Sequence, residues 1–337
     1  MMTQDRTRLG DWVEPHPHGI FIPAADVWID PSRPVPRALV THGHADHARG
    51  GHGEVWATRE TLEIMAVRYG PQNGHPVGYG ETVTMGPVEV GFVPAGHVLG
   101  SAQIILDHRG ERIVVSGDYK RREDPTCARF EPVPCDVFVT EATFGLPVFR
   151  HPATHDEIDK LLSVLRANPS RCVLVGAYAL GKAQRVIREL RVMGFDDPIY
   201  LHGALQRLCD LYVANGVDLG ELRPATGVAK AELQGRIVIA PPGALNDRWS
   251  RRLPDPITAM ASGWMTVRQR ARQRNVELPL ILSDHADWDE LTQTIVELAP
   301  REVWVTHGRE DALVHWCATR QIKARALDLV GFEDEDD

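Results

Sequence analysis

The 337 residues, 43% of them hydrophobic, are enough for one large domain or two ordinary ones with a proper core. A net charge of -9 argues against a protein that coats nucleic acid through a uniformly basic surface, and no apolar stretch approaches the roughly 20 residues that span a bilayer. The amino terminus, Met1-Met2-Thr3-Gln4-Asp5-Arg6, lacks an export pattern, and Cys127, Cys135, Cys172, Cys209 and Cys317 are scattered and form no Cys-x-x-Cys pair, so reduced thiols in the cytoplasm are expected.

From Trp12 to Glu141 the chain runs as short β-rich stretches broken by Gly and Pro, the texture of one half of a layered α/β domain. Arg37-Ala38-Leu39-Val40 reads as a buried strand and opens into Thr41-His42-Gly43-His44-Ala45-Asp46-His47. Val88 to Val93 leads in the same way to His97, and Arg112 to Val115 leads to Asp118, with Lys120, Arg121 and Arg122 just beyond. After Pro147 the texture changes. Helices are predicted over His155 to Ala167, Gly181 to Met193 and Ala204 to Ala214, alternating with strands over Cys172 to Ala177 and Gly235 to Ala240, a pattern that predicts a parallel sheet. Arginine concentrates at Arg248, Arg251 and Arg252 and again at Arg268, Arg270, Arg272 and Arg274, as a phosphate track or as a solvated helix face. His285 precedes a helix over Asp287 to Leu298, and the strand Val303 to Thr306 ends at His307. The tail Glu333-Asp334-Glu335-Asp336-Asp337 reads as a solvated, disordered end.

Three His and one Asp within six residues have the spacing of metal ligands, since neutral imidazoles suit zinc, manganese or iron and the carboxylate adds charge. So short a loop cannot fill two coordination spheres, and the other strand ends supply the remainder. His42, His44 and His97 would bind one metal and Asp46, His47 and His307 the other, with Asp118 and a hydroxide shared between them.

The His-x-His-x-Asp-His signature resembles that of the metallo-β-lactamase superfamily, and further motifs resemble its nucleic-acid-processing β-CASP branch. Asp30 in Val27-Trp28-Ile29-Asp30 matches the family's first motif, while Glu141, His285 and His307 match the three motifs of the branch. The segment Tyr178 to Arg185 is similar to the helix opening of the inserted cassette, and Gly19 to Pro23, Ile29 to Pro31 and Val35 to Arg49 look most like the bacterial DNA-ligase-associated exonucleases. The resemblance implies an αββα metallo-β-lactamase sandwich, discontinuous over 1–147 and 279–337, with a β-CASP-like α/β cassette over 148–278. It also implies a role for each motif residue. His285 would bind the scissile phosphate or protonate the leaving oxygen, Glu141 would fix its ring, Asp46 would orient the hydroxide, and Asp30 would support the histidine loop. Ser101, Lys120, Arg121 and Lys182 are candidates for phosphate contact.

The activity so implied is a DNA-repair exonuclease that degrades single-stranded DNA from 5′ to 3′ with two divalent ions, zinc or manganese, beside an ATP-dependent DNA ligase and a helicase. RNA stays open as the substrate, because RNA-processing members carry His at the position of His307 where the crosslink-repair enzymes carry Val. A small-molecule hydrolase of the glyoxalase or lactonase kind would use the same loop without needing Glu141, His285 or the cassette. A noncatalytic scaffold would be expected to lack ligands, and none is missing.

Overall fold

A computed structural model of the chain describes residues 9–327 and residue 329, so the amino-terminal Met1 to Arg6 and the acidic Glu333 to Asp337 lie outside the described residues. The chain divides into two compact units, one made of residues up to 123, 127–148 and from 285 onward, the other of 124–126 and 149–284.

The first unit opens with β1 (Glu14–His16), β2 (Gly19–Ile22), β3 (Val27–Ile29), β4 (Arg37–Leu39), β5 (Glu54–Ala57) and β6 (Gly74–Pro76), which form one sheet in chain order. Between its last two strands runs α1 (Arg59–Tyr69), capped by the Thr58 side chain on the Thr61 N–H. Then β7 (Thr82–Met85), β8 (Val88–Pro94), β9 (Ala102–His108), β10 (Glu111–Val115) and β11 (Val137–Ala142) begin a second sheet. Alternation along these strands decides what each face meets. Ile20, Ile22, Val27, Ile29 and Leu39 of the first sheet share one core with Val88, Val90, Ile104, Leu106, Ile113 and Val137 of the second. Each such burial contributes on the order of 1.5–3 kcal/mol, which holds the two sheets together.

The second unit carries α2 (Thr154–Ala167), β12 (Val173–Gly176), α3 (Lys182–Val192), β13 (Ile199–Leu201), α4 (Gln206–Ala214), β14 (Leu222–Pro224), β15 (Ile237–Ala240), β16 (Ile257–Ala261), α5 (Arg268–Gln273) and β17 (Leu278–Leu280). Its strands form a six-stranded sheet in the order β14-β13-β15-β12-β16-β17, and every pairing is parallel, as the alternation of helices and strands predicts. Parallel sheets are covered on both faces, and the uninterrupted burial of Val173 to Gly176 and Ile237 to Ala240 follows from that. Because β17 pairs with β16, the unit runs on to Asp284 rather than stopping at 278. Helix α3 buries Ala183, Val186, Ile187 and Leu190 as one stripe. Its buried Arg185 faces Asp124 at 3.3 Å and Asp284 at 3.1 Å, and Lys182 pairs with Asp284 at 2.9 Å.

The chain then completes the first unit with α6 (Trp288–Leu298), β18 (Glu302–Gly308), α7 (Glu310–Thr319) and β19 (Lys323–Ala326). The second sheet is thereby ordered β19-β18-β11-β10-β9-β8-β7. On its other face Val114, Phe138, Val303 and Val305 pack with Leu291 and Ile295 of α6 and Leu313 of α7, while Ala38, Val55 and Ala57 of the first sheet pack with Met65 of α1. No helix among the described residues is long and apolar enough to cross a membrane.

Candidate metal centre

Strand directions bring distant side chains to one edge of the second sheet. Strands β10, β11 and β18 run parallel, and β8 runs the same way because β9 is antiparallel to both β8 and β10. The loops after β8 and β10 and the last residues of β11 and β18 therefore carry His97, Asp118, Glu141 and His307 to the same side, and the loop after β4 adds His42, His44, Asp46 and His47. A backbone hydrogen bond from Ala102 N to Thr41 O joins the two sheets there.

One carboxylate is the hub. Asp118 Oδ2 lies 3.3 Å from His42 Nε2, 3.4 Å from His47 Nε2 and 3.8 Å from His97 Nε2, while its Oδ1 lies 3.9 Å from His307 Nδ1. His44 Nδ1 is 3.2 Å from His42 Nε2 and 3.0 Å from His97 Nε2. Nitrogen lone pairs that converge this closely on one point, all buried, suit a cation. Three sets of side chains have donor atoms within 4.8 Å of one another: His42, His44, His97 and Asp118; His47, Asp118 and His307; and Asp118, Glu141 and His285. Asp46 reaches the second of these from the side, its Oδ2 3.6 Å from His47 Nε2.

Support for the donors is visible residue by residue. Asp30 accepts from Thr41 N at 2.8 Å and from Thr41 Oγ1 at 2.6 Å, and meets His47 Nδ1 at 2.7 Å, so one carboxylate ties both ends of the histidine loop and turns His47 Nε2 toward Asp118. Ser101 Oγ accepts from the His97 and Val98 N–H groups, holding the turn that carries His97. That turn begins at Gly96, where φ is 75° and a Cβ would fall 2.3 Å from Lys120 O, so only glycine fits. Glu141 is fully buried, accepts from Tyr119 N at 2.8 Å through Oε1 and meets His285 Nδ1 at 3.0 Å through Oε2. At His307 the pairing of β11 with β18 slips by one residue, a bulge that puts His307 at φ 59° and redirects its ring. The next residue, Gly308, has φ 95°, and a Cβ there would meet Ala142 O at 2.3 Å.

The basic residues after Asp118 are placed otherwise than the sequence suggests. Arg121 pairs with Glu297 at 2.6 Å, and Arg122 pairs with Asp287, the residue that caps α6, so both guanidinium groups are committed to that helix rather than set out for phosphate. Lys120 is buried, the Ser101 hydroxyl serves the His97 turn, and Lys182 is held by Asp284 in the second unit. Two supports had no counterpart in the sequence reading. Helix α1 places Ile64 where a Cβ on Gly43 would be 2.6 Å away, and Thr58 and Thr61 donate to Gly100 O beside the His97 turn. Its apolar residues make no clean stripe, which hid it. The Thr41 hydroxyl gave no signal either, because its importance depends on Asp30.

Burial keeps most of these rings neutral. It pushes His42 and His97 well below the ordinary imidazole value, with neighbouring imidazoles adding to the effect, and takes His307 down to about 3 with help from His47. His47 goes the other way, because Asp118, Asp46 and Asp30 together outweigh its burial. Burial likewise opposes charge on Asp118, but His47 and His285 hold it well below the usual carboxylate range, whereas burial raises Glu141. Unfolded imidazoles take up protons near pH 6.5, so the stability that His42, His97 and His307 contribute is full above that pH and lost as pH falls. The His47 contribution is full below pH 6.5 and lost as pH rises through its folded value. Among these four rings three oppose one, so together they lower the stability of the metal-free protein as pH falls from 7 toward 5. Urea unfolding in EDTA measures it, and a stability that is flat or rises over that interval would contradict these assignments.

No protein-family model matches the chain. It is 28% identical over 323 residues to a protein of Opitutus terrae described as a probable DNA ligase, covering 94% of this chain and 31% of that one. It is 29% identical over 216 residues to a ribonuclease of Thermus thermophilus, covering 53% of this chain and 49% of that one. The chain thus spans between about a third and a half of the length of these curated relatives. Among solved structures, a protein of unknown function from Enterococcus faecalis superposes with a TM-score of 0.54 at 13% identity, covering 86% of this chain and 78% of that one, which speaks for the fold alone.

Proposed function

We propose that this chain, a homologue of the β-CASP nucleases of the metallo-β-lactamase superfamily, is a metal-dependent nuclease that hydrolyses phosphodiester bonds. The observation that carries the reading is the single Asp118 carboxylate facing His42, His47, His97 and His307. The two sheets with a shared core and helices on their outer faces are read as the αββα sandwich of that superfamily, and the second unit as the β-CASP cassette.

In this reading His42, His44 and His97 hold one divalent ion, Asp46, His47 and His307 hold another, and Asp118 serves both; zinc and manganese suit these donors. When bound, two such ions lower the pKa of a water toward about 7 and polarise a phosphoryl oxygen. The rest is done by side chains. Asp30 keeps His47 in the tautomer that presents a lone pair at Nε2. Glu141 occupies Nδ1 of His285, so Nε2 is the nitrogen that binds the scissile phosphate or returns a proton to the departing sugar oxygen.

Single-stranded DNA, degraded from the 5′ end during repair, is the substrate we favour. Its support is the alignment of 94% of the chain with part of a protein named as a DNA ligase, and a ligase and a helicase are the proposed partners in the cytoplasm. RNA is the second reading, supported by His307 and by the relative named as a ribonuclease. Incubating the protein with end-labelled single-stranded DNA and RNA, with zinc or manganese supplied and with Asp46→Ala as control, tests both. Mononucleotides released from 5′-labelled DNA are expected, with no release by Asp46→Ala. Cleavage of RNA alone would transfer the assignment to the second reading, and a fully active Asp46→Ala enzyme would refute the mechanism.

A further inference from the structure

Two connections of the second unit run across one face of its parallel sheet: residues 241–256 join β15 to β16, and 262–277 join β16 to β17. Both lay apolar side chains into one cluster, Leu245 and Leu253 from the first and Met265 and Ala271 from the second, over Leu174, Val238 and Met260 of the strands beneath. Their outer surface is unlike the rest of the molecule. The two connections hold seven arginines and no lysine, against Asp247, Asp255 and Glu277, of which the last two face Arg171, in a chain whose net charge is -9.

Arg248, Arg251, Arg252, Arg268 and Arg272 are exposed, and among the described residues none of the five faces a carboxylate. Elsewhere in the same unit Arg171, Arg185, Arg188, Arg223 and Arg236 each meet an acidic side chain. An ordinary solvated helix would alternate charge so that acids and bases pair three or four residues apart, but α5 and the residue after it read Arg-Gln-Arg-Ala-Arg-Gln-Arg, with no acid to pair. Next to Arg248, the half-buried Trp249 packs edge-on to His202, which follows β13, with ring centroids 4.6 Å apart. Planar guanidinium groups and an aromatic ring together match what an unpaired strand offers, phosphates on one side and base faces on the other.

We propose that these two connections form a track for the phosphodiester backbone of single-stranded nucleic acid, with Trp249 as a base platform. The proposal rests on the nuclease reading and adds a second grip on the strand. The test compares the wild type with the triple variant Arg248→Gln, Arg251→Gln, Arg252→Gln and the double variant Arg268→Gln, Arg272→Gln. Binding to fluorescent oligodeoxythymidylate and oligouridylate is titrated with KCl in EDTA, and hydrolysis of bis(p-nitrophenyl) phosphate, which has no strand to grip, is measured with metal. Each lost phosphate contact should flatten the plot of log K against log salt by about 0.7, so about 2 for the triple variant and about 1.4 for the double, with affinity down about tenfold or more at 100 mM KCl. Reporter hydrolysis and thermal midpoints should not change.

Unchanged slopes in both variants would overturn the track. So would displacement of the oligonucleotide by polyglutamate at equal charge, which would assign the surface to an acidic polypeptide. Loss of reporter hydrolysis in the variants would also overturn it, by making these arginines supports of the metal centre. A wild type inert toward the reporter would count against the nuclease reading, while the slopes would still judge the track.

Discussion

Asp118→Asn should leave the fold intact while stripping metal and reducing cleavage by about a thousandfold or more. The amide keeps the volume of the carboxylate but exchanges one accepting oxygen for a donating NH2 and carries none of its charge, and that charge faces both sets of imidazoles. On the proposed two-ion reading, losing a donor common to both ions would forfeit several kcal/mol of charge stabilisation, and each 1.36 kcal/mol is a decade in rate. In the metal-free protein Asp118, with Asp46 and Asp30, favours a proton on His47, so there the variant should lose part of that positive charge. Metal content by elemental analysis, read beside the initial rate, decides the matter. A variant that retains both ions and its rate would remove Asp118 from the centre of the mechanism.

The second large effect concerns the Glu141–His285 pair, and it should differ in kind. His285→Ala is expected to lower kcat by about 10²–10⁴, the range for a positioned proton donor, with metal content unchanged. Glu141→Gln still offers an oxygen to the Tyr119 N–H but no longer anchors His285 Nδ1 by charge, and a loss of about 10–100-fold is expected, with the alkaline limb of the pH–rate profile moved. The geometry leaves a rival role to be tested, since Asp118, Glu141 and His285 also lie close enough to share an ion. If His285→Ala lost metal in step with activity, His285 would be a ligand and not the proton donor.

How far the site could be read in the sequence depended on whether each residue's neighbours were local. The loop from His42 to His47 declares itself because all its donors lie within one turn, and the apolar runs before His97, Asp118 and His307 mark strand ends at which such residues converge. The Lys120 to Arg122 group misled for the opposite reason. Proximity to Asp118 along the chain placed it beside the metals, yet Arg121 pairs with Glu297 of α6 and Arg122 with Asp287, the cap of that helix, more than 160 residues away. Helix α1 escaped notice because its apolar residues, Leu62, Ile64, Met65, Ala66 and Val67, run around its circumference while only Thr61, Ile64 and Met65 are buried, although it braces both histidine-bearing turns.

By itself, the amino-acid sequence determined what is periodic or close-spaced: the strand and helix alternation that makes the sheet of the second unit parallel, the buried runs, and the metal-ligand spacing of His42, His44, Asp46 and His47. Tertiary structure alone decided that Asp30 clamps both ends of that loop, that a bulge turns His307 inward at φ 59°, and that Arg121 and Arg122 near Asp118 are paired while Arg248, Arg251, Arg252, Arg268 and Arg272 are exposed. The physical reason is that periodicity records which face of an element is buried, whereas the partner of a charge or a hydroxyl is set by sheet order and strand direction.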